Sequence, residues 1–114
     1  MNTIGNLPIK VEILGVSYSI IYDSDLWEKE KCWGVIEYKK QTIKIWRNED
    51  FSLEDYWNII IHEVIHGIST ALDLELESTD EGEKRLNRLA QGLTKVLLSN
   101  NWINPNLIEK GDKL

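Results

Sequence analysis

The run Leu53-Glu54-Asp55-Tyr56-Trp57-Asn58-Ile59-Ile60-Ile61-His62-Glu63-Val64-Ile65-His66-Gly67-Ile68-Ser69-Thr70-Ala71-Leu72 governs how the rest of the chain is read. It contains no proline, and Ser52 with Asp55 has the form of a capping box: the serine hydroxyl accepts from the backbone three residues on, and Asp55 reaches back. The pattern predicts a helix from Leu53 to about Leu72. Its apolar residues fall around most of the circumference, so the helix is expected to be central and buried. The same helix carries His62, Glu63 and His66. An unpartnered imidazole or carboxylate costs roughly 1–3 kcal/mol to bury, so these three need something to satisfy them.

His62-Glu63-Val64-Ile65-His66 is an H-E-x-x-H sequence, and its two histidines are the only two in the chain. Residues four apart share a helix face, so both imidazoles can converge on one metal ion, while Glu63, about 100° around from His62, can hold a water beside it. A catalytic zinc needs a third protein ligand and one open position. With no histidine left, that ligand must be a carboxylate, and the next helical stretch offers Asp80, Glu81 and Glu83. Glu83 falls in line with Leu86, Ala90, Leu93 and Leu97, an inward stripe. Glu81 lines up with Arg85, Arg88 and Lys95, and Asp80 with Lys84, Asn87 and Gln91, faces expected to meet solvent. Glu83 is therefore the ligand candidate. The competing explanation is a cap at the helix start, Asp80 with Glu83, or Ser78 with Glu81 one register earlier. Asp55, Ser69 and Asp73 also lie near the histidine face by helical angle, as partners for an imidazole N–H or as plain capping and solvated groups. Gly67 removes a side chain where another element can approach the helix.

Upstream, Ile9, Val11 and Ile13, then Val16, Tyr18, Ile20 and Tyr22, alternate with polar residues on either side of Gly15, the period of two half-buried strands. Asp23-Ser24-Asp25 marks a turn, and Glu28 to Lys31 reads as a solvated loop or short helical turn. Trp33 to Tyr38 and Thr42 to Trp46, rich in β-branched and aromatic residues around Lys39-Lys40-Gln41, predict a hairpin. Downstream, Leu86, Leu89, Ala90, Leu93, Val96 and Leu97 predict a second amphipathic helix ending near Asn100, with Trp102 and Ile103 folding back onto the core. The expected fold class is α+β: a small, mostly antiparallel sheet, then two helices. One domain over 1–103 with a loose tail over 104–114 fits a length of 114 residues.

The composition, 42% hydrophobic and 28% charged, belongs to ordinary globular proteins. A net charge of −6 opposes binding to nucleic acid or anionic lipid. The single Cys32 cannot form an intrachain disulfide. With no secretory pattern at Met1-Asn2-Thr3-Ile4-Gly5-Asn6 and no long apolar run, a cytoplasmic protein is expected.

His62-Glu63-Val64-Ile65-His66-Gly67-Ile68, followed by Glu83-x-x-Leu86-x-x-Leu89-Ala90-x-Gly92-Leu93, resembles the small phage and prophage zincin-type proteins related to the ImmA/IrrE metallopeptidases. The strands at Gly34–Tyr38 and Thr42–Ile45 extend the likeness to roughly residues 8 to 102. The resemblance implies a minimal zincin fold in a bacterial host cell, Zn²⁺ held by His62, His66 and Glu83, and Glu63 as the catalytic base. It also implies a peptide or protein substrate paired with an edge strand near Thr42–Trp46. Family members generally carry a longer C-terminal region that shapes the cleft; this sequence ends soon after the second helix.

The expected chemistry is hydrolysis of a peptide bond, with Tyr18, Tyr22, Tyr38, Tyr56 or the metal alone stabilising the oxyanion. The alternative is a catalytically silent zincin-fold protein acting by contact with a host regulatory protein. The five tryptophans among ten aromatic residues would suit such a surface, although aromatic residues more often serve the core.

Overall fold

The computed structural model describes residues 7–76 and 78–103, so the expected tail lies outside the described residues. In chain order the elements are β1 (Lys10–Ile13), β2 (Val16–Asp23), α1 (Leu26–Glu30), β3 (Gly34–Glu37), β4 (Thr42–Trp46), α2 (Leu53–Leu72) and α3 (Asp80–Ser99). The fold is α+β with a small mixed sheet.

Two antiparallel hairpins form as the alternation predicts, β1 with β2 and β3 with β4. They are joined by a parallel pairing of β2 with β4, Ser19 opposite Thr42 through Asp23 opposite Trp46. The strand order is β1-β2-β4-β3. Thr42–Trp46 is therefore an interior strand, and the expectation that it forms the edge is corrected. The edges are β1 and β3. The charged run after Asp25 forms the short helix α1, which fills the crossover and buries Leu26 completely.

Edge strand β3 has a defined polarity. Trp46 N–H donates to the Trp33 carbonyl at 2.7 Å, which makes that pair a hydrogen-bonded one. Antiparallel pairs alternate, so Val35 and Glu37 bond to β4 while the N–H and C=O groups of Gly34 and Ile36 face the outer edge.

Helix α2 explains its own apolarity: it has two faces to cover. Leu53, Tyr56, Ile59 and Ile60 pack with Tyr18, Ile20, Ile43 and Ile45 of the sheet. Ile65, with Ile61 beside it, packs against Leu86 and Ala90 of α3. Each fully buried Ile or Leu contributes about 1.5–3 kcal/mol. The capping box forms as predicted: Ser52 Oγ accepts from Asp55 N–H at 3.1 Å, and Asp55 Oδ2 from Ser52 N–H at 2.9 Å.

Three local expectations change in α3 and beyond. Its N-cap is Thr79, whose Oγ1 accepts from Gly82 N–H at 2.9 Å, rather than Ser78 or Asp80. The buried stripe runs through Gly82, Leu86, Ala90 and Thr94: the predicted Leu86 and Ala90 are buried, while Thr94 takes the place expected of Leu93, which is 39% exposed. Trp102 is 71% exposed instead of folding back. Because α3 lies against one neighbour, α2, it needs only a narrow apolar stripe. Among the described residues no helix is long and apolar enough to cross a membrane.

Candidate metal centre

His62 and His66 sit one turn apart on α2, where the helix passes between the sheet and α3. Gly67 permits that passage: a β-carbon there would meet Ile13 Cδ1 at 2.8 Å and Ile36 Cδ1 at 3.3 Å. The α2–α3 connection is held by hydrogen bonds. Asp73, in the left-handed region at φ 55°, caps α2 through its N–H to Ser69 and Thr70, and Ser69 Oγ accepts from Leu76 N–H at 3.1 Å. The chain then turns into α3 with Glu83 in its first turn, across from His62.

Three ligand atoms converge. His62 Nε2 lies 3.1 Å from Glu83 Oε1, His66 Nε2 lies 3.2 Å from His62 Nε2, and His66 Nε2 lies 3.4 Å from Glu83 Oε1. His62, His66 and Glu83 thus form a group that could hold a metal ion. Ligands about 2.0–2.2 Å from a tetrahedral ion are separated by about 3.3–3.6 Å, so the three edges of this triangle fit to within a few tenths of an ångström. Two imidazole nitrogens and a carboxylate oxygen also suit a borderline divalent ion.

The protonation states agree. Burial lowers the pKa of His62, as does repulsion from His66, against the opposing pull of Glu83 and Asn87. A lowered value favours the neutral imidazole that ligation requires. Glu63 is 6% exposed. Burial pushes its carboxyl up to about 7, with His66 pulling down and Glu83 pushing up. A carboxylate near neutrality is suited to taking and returning a proton.

Glu63 and His62 line a cavity of about 470 Å³ between α2, α3 and the start of β3. Sequence reasoning located His62, Glu63, His66 and Glu83 and placed Asp55 near the histidine face, but did not identify the remaining cavity walls. Asn58 stands four residues before His62, and Asn87 and Gln91 stand four and eight after Glu83, so helical periodicity could have found them. Asn87 and Gln91 were expected to face solvent, and both are exposed while also lining the cavity. Trp33 and Gly34 had no local signal, because β3 reaches the cavity only through sheet pairing.

The remaining candidates serve elsewhere. Tyr18 is in the core, Tyr22 OH donates to the Pro8 carbonyl at 2.6 Å, and Tyr56 OH donates to the Asn48 carbonyl at 2.9 Å. Tyr38 OH donates to the His66 carbonyl at 3.3 Å and accepts from Thr70 Oγ1 at 2.8 Å, which puts it beside the backbone of the second histidine. Ser69 and Asp73 hold the α2–α3 connection, as described above. Asp55 is both part of the capping box and a wall of the cavity.

Compared with known proteins, the chain matches no family model, no curated protein and no solved structure.

Proposed function

We propose that this protein is a zinc-dependent peptide hydrolase of minimal zincin type. The observation that carries the reading is the triangle of His62 Nε2, His66 Nε2 and Glu83 Oε1, with edges of 3.1–3.4 Å, beside a buried glutamate that is not one of its members. Zinc held by those residues would supply a water with its pKa lowered to about 7 and would polarise a substrate carbonyl.

The chain's own residues supply the remainder. Glu63 Oε accepts the proton of the attacking water and returns it to the amine nitrogen released when the C–N bond breaks. The outward backbone groups of Ile36 and the Gly34 carbonyl offer an extended peptide a strand to pair with, so β3 takes the role first expected of Thr42–Trp46. Gly34 brings that edge close to Glu63, whose carboxylate would then lie beside a bound backbone.

The rival is a silent regulatory protein with the same fold. The burial of Glu63 speaks against it, because a carboxylate at 6% exposure burdens stability and a protein that never uses it gains nothing in return. The test has two parts. Metal analysis of protein purified without a histidine tag should find about one zinc per chain. Glu63→Gln should keep that zinc and lose peptide hydrolysis by about 100-fold or more. Absence of zinc, or hydrolysis unaffected by the substitution, overturns the proposal.

A further inference from the structure

The cavity beside Glu63 has a composition that selects a side chain. Among the described residues its carboxyls are Asp55 and Glu63, its polar walls are the amides of Asn58, Asn87 and Gln91, and no lysine or arginine lines it. Lys95, one turn beyond Gln91 on α3, has its Nζ 3.0 Å from Glu54 Oε2. An acidic side chain reaching the Asp55 end would meet a carboxylate there, with no lysine or arginine among the described lining residues to offset it. A purely aliphatic one would make no use of the Asp55 carboxylate.

The dimensions are also informative. Asp55 precedes His62 by seven residues, or about 10 Å along the helix, so a side chain entering near the ligands needs a long stem to reach it. Apolar surface for that stem is present. Ile59 forms part of the wall, and Trp33 stands 53% exposed at the mouth. The Trp33 indole is backed by Phe51 at 5.1 Å and Trp46 at 6.5 Å between ring centroids, so it is braced on one side and accessible on the other. Indole faces accept both aliphatic stems and cationic heads. Asp55 Oδ2 accepts from Ser52 N–H, and a carboxylate has capacity for further donors.

We propose that this cavity is a specificity pocket for a lysine or arginine side chain of the peptide substrate, with the stem along Trp33 and Ile59 and the cationic head at Asp55. The proposal rests on the hydrolase reading for its substrate class, but it is tested by binding alone.

Zinc-loaded Glu63→Gln protein is titrated with acetylated, amidated tetrapeptides that differ at one position, carrying lysine, norleucine or glutamate, and followed by NMR of the Trp33 indole and the Asn58, Asn87 and Gln91 amides. The lysine peptide is expected to bind about 10-fold more tightly than the norleucine peptide, with the glutamate peptide weakest and the shifts centred on those four residues. Asp55→Asn, checked for an unchanged helical spectrum, should reduce the lysine preference to about 2-fold, and Asn58→Asp should increase it. Equal affinity for lysine and norleucine, a preference for glutamate, or a lysine preference indifferent to both substitutions overturns the proposal. Failure of the wild-type protein to cleave any of the peptides would instead count against the hydrolase, whatever their order of binding.

Discussion

The backbone of Gly34 lies directly against the carboxylate of Glu63: a β-carbon at residue 34 would sit 3.2 Å from Glu63 Oε2 and 2.6 Å from Ile59 Cγ2. The edge strand and the proposed base are thus in contact, and the absence of a side chain is what allows it. Gly34→Ala must push β3 outward or displace Ile59 and Glu63. The expected result is a loss of about 1–3 kcal/mol in denaturant unfolding. Peptide hydrolysis should fall about 10-fold or more with zinc content unchanged, because a 1 Å displacement of a catalytic group is expensive while the ligands lie on other positions.

With zinc at the proposed site, Glu83 would couple metal to stability. Its side chain is 45% exposed, so Glu83→Gln should leave the metal-free protein close to wild type. Zinc at about 100 times its dissociation constant should stabilise the wild type by about 2.7 kcal/mol. If the substitution weakens zinc about 100-fold, the same zinc concentration stabilises the variant by only about 0.4 kcal/mol. Urea unfolding with and without added zinc measures both numbers.

Leu86 is 1% exposed and joins α3 to α2 three residues beyond Glu83. Leu86→Ala should cost about 2–5 kcal/mol in unfolding free energy. Because the same packing holds Glu83 opposite His62, zinc affinity should drop as well, and added zinc should recover part of the lost stability. Unfolding curves combined with a zinc titration check this. A variant that loses stability with unchanged zinc affinity would show that α3 docking and ligand placement are independent.

Asp23 and Lys29 form a 2.6 Å ion pair at the start of α1. The Asp23 carboxyl is held below its ordinary value, first by its hydrogen bond from Lys29 and then by that from Asp25 N–H. The Lys29 ammonium is raised, chiefly by Asp23. For the aspartate, the folded state binds its proton less tightly than the unfolded state, so its stabilisation is present above the unfolded pKa and disappears as pH falls through the folded one. For the lysine, the stabilisation is present below the unfolded pKa and disappears as pH rises through the raised one. The difference in stability between wild type and Asp23→Asn should therefore be flat through neutral pH and shrink in both acid and strong base. It should be small, since both groups are solvent-accessible. Parallel melts from pH 3 to pH 11 measure it.

Some of this molecule is legible one helical turn at a time. The start of α2 is written in Ser52 and Asp55, its end and its two covered faces follow from apolar spacing, and His62, Glu63 and His66 declare their relation by the fixed angle between neighbouring helical positions. Glu83 was found by the same logic applied to α3, whose stripe keeps the predicted Leu86 and Ala90 and departs at its ends, where Gly82 and Thr94 are buried.

What the amino-acid order determined by itself was thus the main elements, the cap of α2 and the spacing of the candidate ligands, all of which depend on interactions between residues at most a few positions apart. Only the tertiary structure decided that β4 lies inside the sheet and β3 at its edge, that Glu83 Oε1 comes within 3.1 Å of His62 Nε2, and that Trp33 and Gly34 wall the cavity beside Glu63. The parallel pairing of β2 with β4 joins strands some twenty residues apart, and the α2–α3 contact depends on which faces meet. Strand order and helix docking are set by the sum of many weak, distant contacts, and no short stretch of residues carries that sum.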